Sequence, residues 1–201
     1  MIDDAAARRY AAFYCEENVW WLAQEPRFAE RACDVVLVTN SHRSVAVFAQ
    51  RAGRGPDRGI VWDYHVVLAM SNANRGLPGG AGCRPVASID GEIWDLDCVV
   101  GAPLAARAWL DASFPRRDLP TWLEPRFRVV PAVEFVATFS SDRGHMRDRT
   151  GRWRAPPPPW PCIVPGPTNL DRFLDLDDPF VGDVVDLETL RARLTGAASN
   201  G

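Results

Sequence analysis

Val61-Trp62-Asp63-Tyr64-His65-Val66-Val67-Leu68 is the stretch on which the fold reading turns. It is rich in β-branched and aromatic residues, which suit a pleated, half-buried surface. In an extended chain alternate side chains share a face, so Val61, Asp63, His65 and Val67 lie together, opposite Trp62, Tyr64 and Val66. An imidazole and a carboxylate flanked by valines are unusual on a pure core face. The strand is read over residues 60–69.

Working outward, residues 34–39 and 45–48 read as two strands joined by Asn40-Ser41-His42-Arg43, a hairpin. A Gly/Arg/Pro loop covers 53–59, a Gly-rich connection 71–84, and a further strand 92–100. Upstream, residues 15–24 have helical character, with Val19, Leu22 and Ala23 on one face, until Glu25-Pro26 ends the run. Downstream come a helix over 103–114 with Pro103 at its first position, an extended piece at 127–130, and a long loop from 140 to 167. That loop contains four consecutive prolines, Pro156 to Pro159, which must be extended. Residues 186–194 read as a C-terminal helix stopped at Gly196. The architecture is α+β, with an N-terminal helix on a mostly antiparallel sheet.

Composition narrows the function. The 201 residues are 47% hydrophobic with a net charge of −3, which excludes disorder as the dominant state. No apolar stretch approaches the roughly 20 residues of a membrane helix, and Met1-Ile2-Asp3-Asp4 lacks a signal-peptide pattern, so a soluble intracellular protein is expected. With 23 basic and 26 acidic residues and no basic stripe, no nucleic-acid footprint is read. Every basic residue of the Lys/Arg class is arginine, which excludes a lysine Schiff base or lysine general base. The five cysteines, Cys15, Cys33, Cys83, Cys98 and Cys162, form no CxxC pair, and His42, His65 and His145 lack metal-ligand spacing. No metal and no organic cofactor are expected.

Cys15 stands out because a helix starting there would place its sulfur where unpaired amides favour a thiolate. Asp95 and Asp97, in Ile93-Trp94-Asp95-Leu96-Asp97, share a face of the next strand, where unpaired carboxylates would be costly. His65 is a natural partner if the strands pair. A helix-start cysteine, a strand histidine and an aspartate on the following strand form an order suited to nucleophilic catalysis. The spacing alone does not choose between Asp95 and Asp97.

The order resembles the transglutaminase-like branch of papain-like folds. More specifically, YCEENVW at 14–20, VWDYHVVL at 61–68, IWDLD at 93–97 and SSDRGHMRDRTGRWRAPPPPWPCI at 140–163 resemble the protein N-terminal glutamine amidohydrolase family. The resemblance runs over nearly the whole chain and implies one domain over 1–201. It implies catalytic Cys15, His65 and Asp95, a papain-like/transglutaminase-like core, and deamidation of N-terminal glutamine through a thioester. The expected substrates are peptides and proteins beginning with Gln. No nucleic acid or membrane is expected as partner, and the protein is expected to be a cytoplasmic monomer, also nuclear in a eukaryote, serving an N-degron route.

The substrate's α-ammonium needs acceptors, and Asp63, Glu16 and Glu17 are the candidates; a helix-capping or ion-paired role explains each equally. The 140–162 segment is read as a loop anchored by Trp153 and Trp160, either bracing the domain or walling the substrate cleft. The rival functions are a general protein glutaminase, a transglutaminase, a cysteine protease, a metal-binding protein using Cys15 and His65, and a non-catalytic module that binds N-termini.

Overall fold

The computed structural model describes residues 9–29, 31–53, 55, 57–70, 91–115, 118–164 and 166–196. The 71–84 connection and Cys83 lie outside them. The elements run α1 (Cys15–Leu22), α2 (Pro26–Ala29), β1 (Cys33–Thr39), β2 (Val45–Val47), β3 (Ile60–Trp62), β4 (His65–Met70), β5 (Glu92–Trp94), β6 (Leu104–Ala105), α3 (Ala106–Ser113), β7 (Arg126–Pro131), α4 (Ala132–Thr138), α5 (Leu170–Leu174), β8 (Asp183–Val185) and α6 (Leu187–Thr195). Six strands form one sheet in the order β6-β5-β4-β1-β7-β8, and β2 pairs with β3 in a small second sheet. Every strand pairing among the described residues is antiparallel. The α+β, antiparallel expectation holds.

Four local expectations are corrected. The hairpin of residues 34–48 does not form, because β1 is paired on both edges, by β4 and by β7. Asn40 turns the chain away: its side chain accepts from the amides of His42 and Ser44 and donates to the carbonyls of Trp122 and Glu124. The strand read over 60–69 breaks at Asp63-Tyr64. There Asp63 Oδ1 accepts the Tyr64 amide at 3.0 Å, and the Asp63 carbonyl takes the Thr39 hydroxyl at 2.9 Å. The strand read over 92–100 stops at Trp94, and the helix read from Pro103 starts at Ala106, after the short β6.

The sheet separates two apolar layers. Alternate residues of β1 and β4, with Val35, Leu37, Val66 and Leu68 fully buried, pack against α1, α4 and α5. The other face, Val36, Val38, Val67 and Ala69, packs against α3 and α6 around Trp109 and Leu110. At the end of the chain the reading holds: Asp186 Oδ1 accepts the Thr189 amide at 2.8 Å as N-cap of α6, and Gly196 closes it at φ 65°.

One buried cation fixes a wall of the site. Arg128, on β7 and 1% exposed, donates to the carbonyls of Phe173, Asp175, Asp178 and Val181. It thereby ties α5 and the chain beyond it to the sheet. Gly182, at φ +73°, lets that segment return to β8, where a Cβ would stand 2.3 Å from the Val129 carbonyl oxygen.

Candidate active site

The site lies where β5 stops short. β5 pairs β4 only from Leu68 to Met70, so the β5-side edge of β4 is open at His65–Val67. Helix α1 packs on this end of β4 and delivers Cys15 as its first residue, with no side chain capping its N-terminal amides. Cys15 is 8% exposed and His65 2%, and both line one cleft of about 480 Å³.

His65 is held from two directions. Its Nε2 lies 2.8 Å from Asp95 Oδ1, and its ring stacks on Trp62 with the planes 14° apart. With Asp95 ionised, Nε2 carries the proton, which leaves the neutral ring's lone pair on Nδ1. Asp95 is saturated: Oδ1 also accepts the Asp97 amide, and Oδ2 accepts Gln50 Nε2 and Trp109 Nε1, each at 3.0 Å. Burial works against its charge, but His65 and these donors outweigh that and hold the carboxyl below its ordinary value. Burial likewise opposes the His65 cation, yet Asp95 outweighs it and lifts His65 above the ordinary imidazole value. Burial, with Glu16 and Asp97 adding to it, pushes the Cys15 thiol well up, while the Val66 amide pulls the other way. Cys15 therefore rests as a thiol, its Sγ 3.7 Å from Glu16 Oε2.

The remaining sequence candidates separate. Asp95 and Asp97 do not share a strand face: Asp95 is the first residue past β5, and its side chain caps the turn that carries Asp97. Glu17 is turned away from the cleft and saturated. It accepts Arg143 Nε and Nη2 at 2.8 Å, Trp160 Nε1 at 2.8 Å and Ser141 Oγ at 3.2 Å, so no lone pair is left for a substrate. Glu16, fully buried, accepts the Tyr64 hydroxyl at 2.9 Å and faces His145 Nε2 at 3.4 Å. Asp63 is exposed at the cleft mouth.

Of the two expected anchors of the long loop, Trp160 reaches α1, whereas Trp153 takes the Arg147 guanidinium over its ring, inside the loop itself. Arg143 and Trp160 clamp it onto α1 through Glu17, and it brings His145, Met146, Arg154 and Ala155 to the cleft wall. Sequence reasoning missed Gln50 and Trp109, the two donors to Asp95 Oδ2. Both lie far from the motifs, and Gln50 follows Ala49 in a left-handed conformation (φ 55°) that no pattern announces. Among the described residues no group of three or more His, Cys, Asp and Glu could hold a metal ion. No helix there is long and apolar enough to cross a membrane.

A family model described as N-terminal glutamine amidase matches residues 10–194. The human protein named protein N-terminal glutamine amidohydrolase is 34% identical over 180 residues, covering 86% of this chain and 80% of that protein. Relatives of the same name from Danio rerio and Drosophila willistoni are 32% and 39% identical, over 86% and 77% of this chain and 81% and 71% of their own. The matched region runs from before α1 to the last turn of α6 and contains Cys15, His65 and Asp95. On that extent of similarity, the chain belongs to the N-terminal glutamine amidase family.

Proposed function

We propose that this chain hydrolyses the side-chain amide of an N-terminal glutamine to N-terminal glutamate and ammonia, with Cys15 as nucleophile, His65 as proton carrier and Asp95 as its orienting carboxylate. The observation that carries this reading is the pairing of His65 Nε2 with Asp95, which leaves the ring's lone pair on Nδ1, in a residue that lines the same cleft as Cys15. The relatives' shared name supplies the substrate class.

Nδ1 of His65 takes the thiol proton as Sγ attacks the δ-carbonyl carbon, which offsets the high resting pKa of Cys15. The oxyanion is met by amides at the start of α1, the Cys15 N–H among them. The C–N bond breaks as His65 returns the proton, ammonia leaves, and a thioester to Cys15 remains. Water then adds to the thioester, His65 accepts its proton, and the thiolate departs as the glutamate carboxylate forms. Asp95 holds the ring in place and offsets the imidazolium charge in both steps. The helix-borne cysteine beside an antiparallel sheet, with the histidine on β4 and the aspartate just past β5, supports the reading of a papain-like/transglutaminase-like core.

The test is ammonia release from matched peptides carrying Gln at a free N-terminus, an acetylated Gln, or an internal Gln. Turnover of the first alone supports the reading. Equal turnover of all three makes the enzyme a general protein glutaminase, and peptide-bond cleavage, or incorporation of an added alkyl amine in preference to water, makes it a protease or transglutaminase. No turnover with stoichiometric peptide binding makes it a recognition module.

A further inference from the structure

An enzyme for N-terminal glutamine has to read a free α-ammonium, and bringing that cation into a cleft requires an acceptor with unused capacity. The carboxylates around this cleft differ sharply in what they have left. Asp95 and Glu17 each hold their full complement of donors; Glu16 takes the Tyr64 hydroxyl on Oε2, and its Oε1, fully buried with no hydrogen-bond donor and 3.4 Å from His145 Nε2, does not line the cleft. Asp63 and Asp171 are exposed, and Asp171 lies 3.6 Å from Arg43, so water and a neighbouring cation already serve them.

Asp97 is different. It lines the cleft with Cys15 and His65, yet is only 7% exposed. Its Oδ1 accepts the Tyr10 hydroxyl at 2.6 Å, and no donor among the described residues reaches Oδ2. We infer that Asp97 binds the α-ammonium of the substrate through Oδ2, with Tyr10 as the positioning residue that aims the carboxylate; the inference rests on the deamidase reading above. A buried carboxylate with one neutral donor is under-satisfied, and an ammonium supplies the charge-assisted hydrogen bonds it lacks. Burial raises the Asp97 carboxyl above its ordinary value, the signature of a carboxylate short of partners.

The placement also sets a ruler. The Asp97 amide donates to Asp95 Oδ1, the oxygen that receives His65 Nε2. The ammonium acceptor and the orienter of the catalytic base are therefore two residues apart on one rigid turn. With the ammonium anchored at Asp97, a side chain one methylene shorter than glutamine should present its carbonyl less well to Cys15, and an Asn-initiated peptide should turn over more slowly.

The experiment compares kcat/KM for a Gln-initiated peptide and for the same peptide with the α-amino group replaced by hydrogen. Measurements are made in the wild type, Asp97→Asn and Tyr10→Phe. Wild type should favour the free amine by about 100-fold or more. In Asp97→Asn that ratio should fall by about 100-fold, mostly through KM for the free-amine peptide, and in Tyr10→Phe by about 10-fold. Should Asp97→Asn fail to fold, Tyr10→Phe decides. A ratio that stays at the wild-type value, or both peptides losing the same factor, overturns the inference, because Asp97 would then act through Asp95 and His65 alone. A wild type that does not deamidate the Gln peptide at all contradicts the deamidase reading itself, a result visible before any variant is made.

Discussion

His65 Nε2 and Asp95 Oδ1 lie 2.8 Å apart, with the two side chains 2% and 1% exposed. At that burial the pair has no water to share its hydrogen bond with, so the ring's tautomer and tilt are set by protein atoms alone. Gln50 and Trp109, approaching the other carboxylate oxygen, prevent Asp95 from rotating out of line.

Asp95→Asn should therefore be far more damaging than its small size change implies. The amide group would turn an N–H₂ toward donors now held by Oδ1 or Oδ2, and it cannot offset an imidazolium. The expected loss in kcat is about 1,000-fold or more. Steady-state kinetics on a Gln-initiated peptide, beside a circular-dichroism check of the fold, measure it.

Cys15→Ser should keep the fold and lose at least about 1,000-fold in turnover, because a hydroxyl is a far weaker nucleophile than a thiolate. Cys33 and Cys98 are buried, and burial raises both thiols, so neither should substitute. Peptide mapping after alkylation of the native protein should show Cys15 protected by substrate. Retained activity in Cys15→Ser would remove the nucleophile from the mechanism.

The pH profile has a definite sign. In the proposed mechanism His65 acts as a base, which it can do only when neutral, and Asp95 lifts its pKa above the ordinary 6.5. kcat/KM should rise with pH along a limb centred above that value, and Asp95→Asn should move the limb to lower pH. Stability follows linkage. The His65 share is fully present below its unfolded pKa and is lost as pH rises through the raised folded value. The Asp95 share is present above its unfolded pKa and is lost as pH falls through the lowered folded value. Thermal melts across pH should show wild type losing its advantage over His65→Ala toward both ends.

Arg143→Met should cost stability, about 3–5 kcal/mol, because it leaves Glu17 buried without its cation. The pair is 7% and 0% exposed, so solvent does little to soften the loss. The same loop carries His145 and Met146 to the cleft, so KM should rise in the fraction that remains folded. Urea denaturation and KM measured on one preparation check both parts.

The sequence was legible where local chemistry decides the outcome. The α1 start at Cys15, the β4 histidine and the α6 stop at Gly196 follow from periodicity and end signals, whereas the pairing of β4 with β5 entered only as a condition. Non-local competition was not legible. β1 and β2 look like a hairpin, but β7, nearly ninety residues later in the chain, takes the free edge of β1. The choice between Asp95 and Asp97 was invisible for the same reason. It depends on β5 ending at Trp94 and on Gln50 and Trp109 arriving from elsewhere. The short α4 and α5 went unread because each presents only two or three buried positions to the core.

Partitioning by hydroxylamine tests the central claim, covalent catalysis through Cys15, most directly. A Gln-initiated peptide turned over in its presence should yield the γ-hydroxamate of the N-terminal residue alongside glutamate, in a ratio that grows with hydroxylamine while ammonia release matches total product. Cys15→Ser should yield neither. Glutamate as the sole product at every hydroxylamine concentration, or turnover surviving in Cys15→Ser, would mean that water attacks the amide without a thioester and would contradict the mechanism.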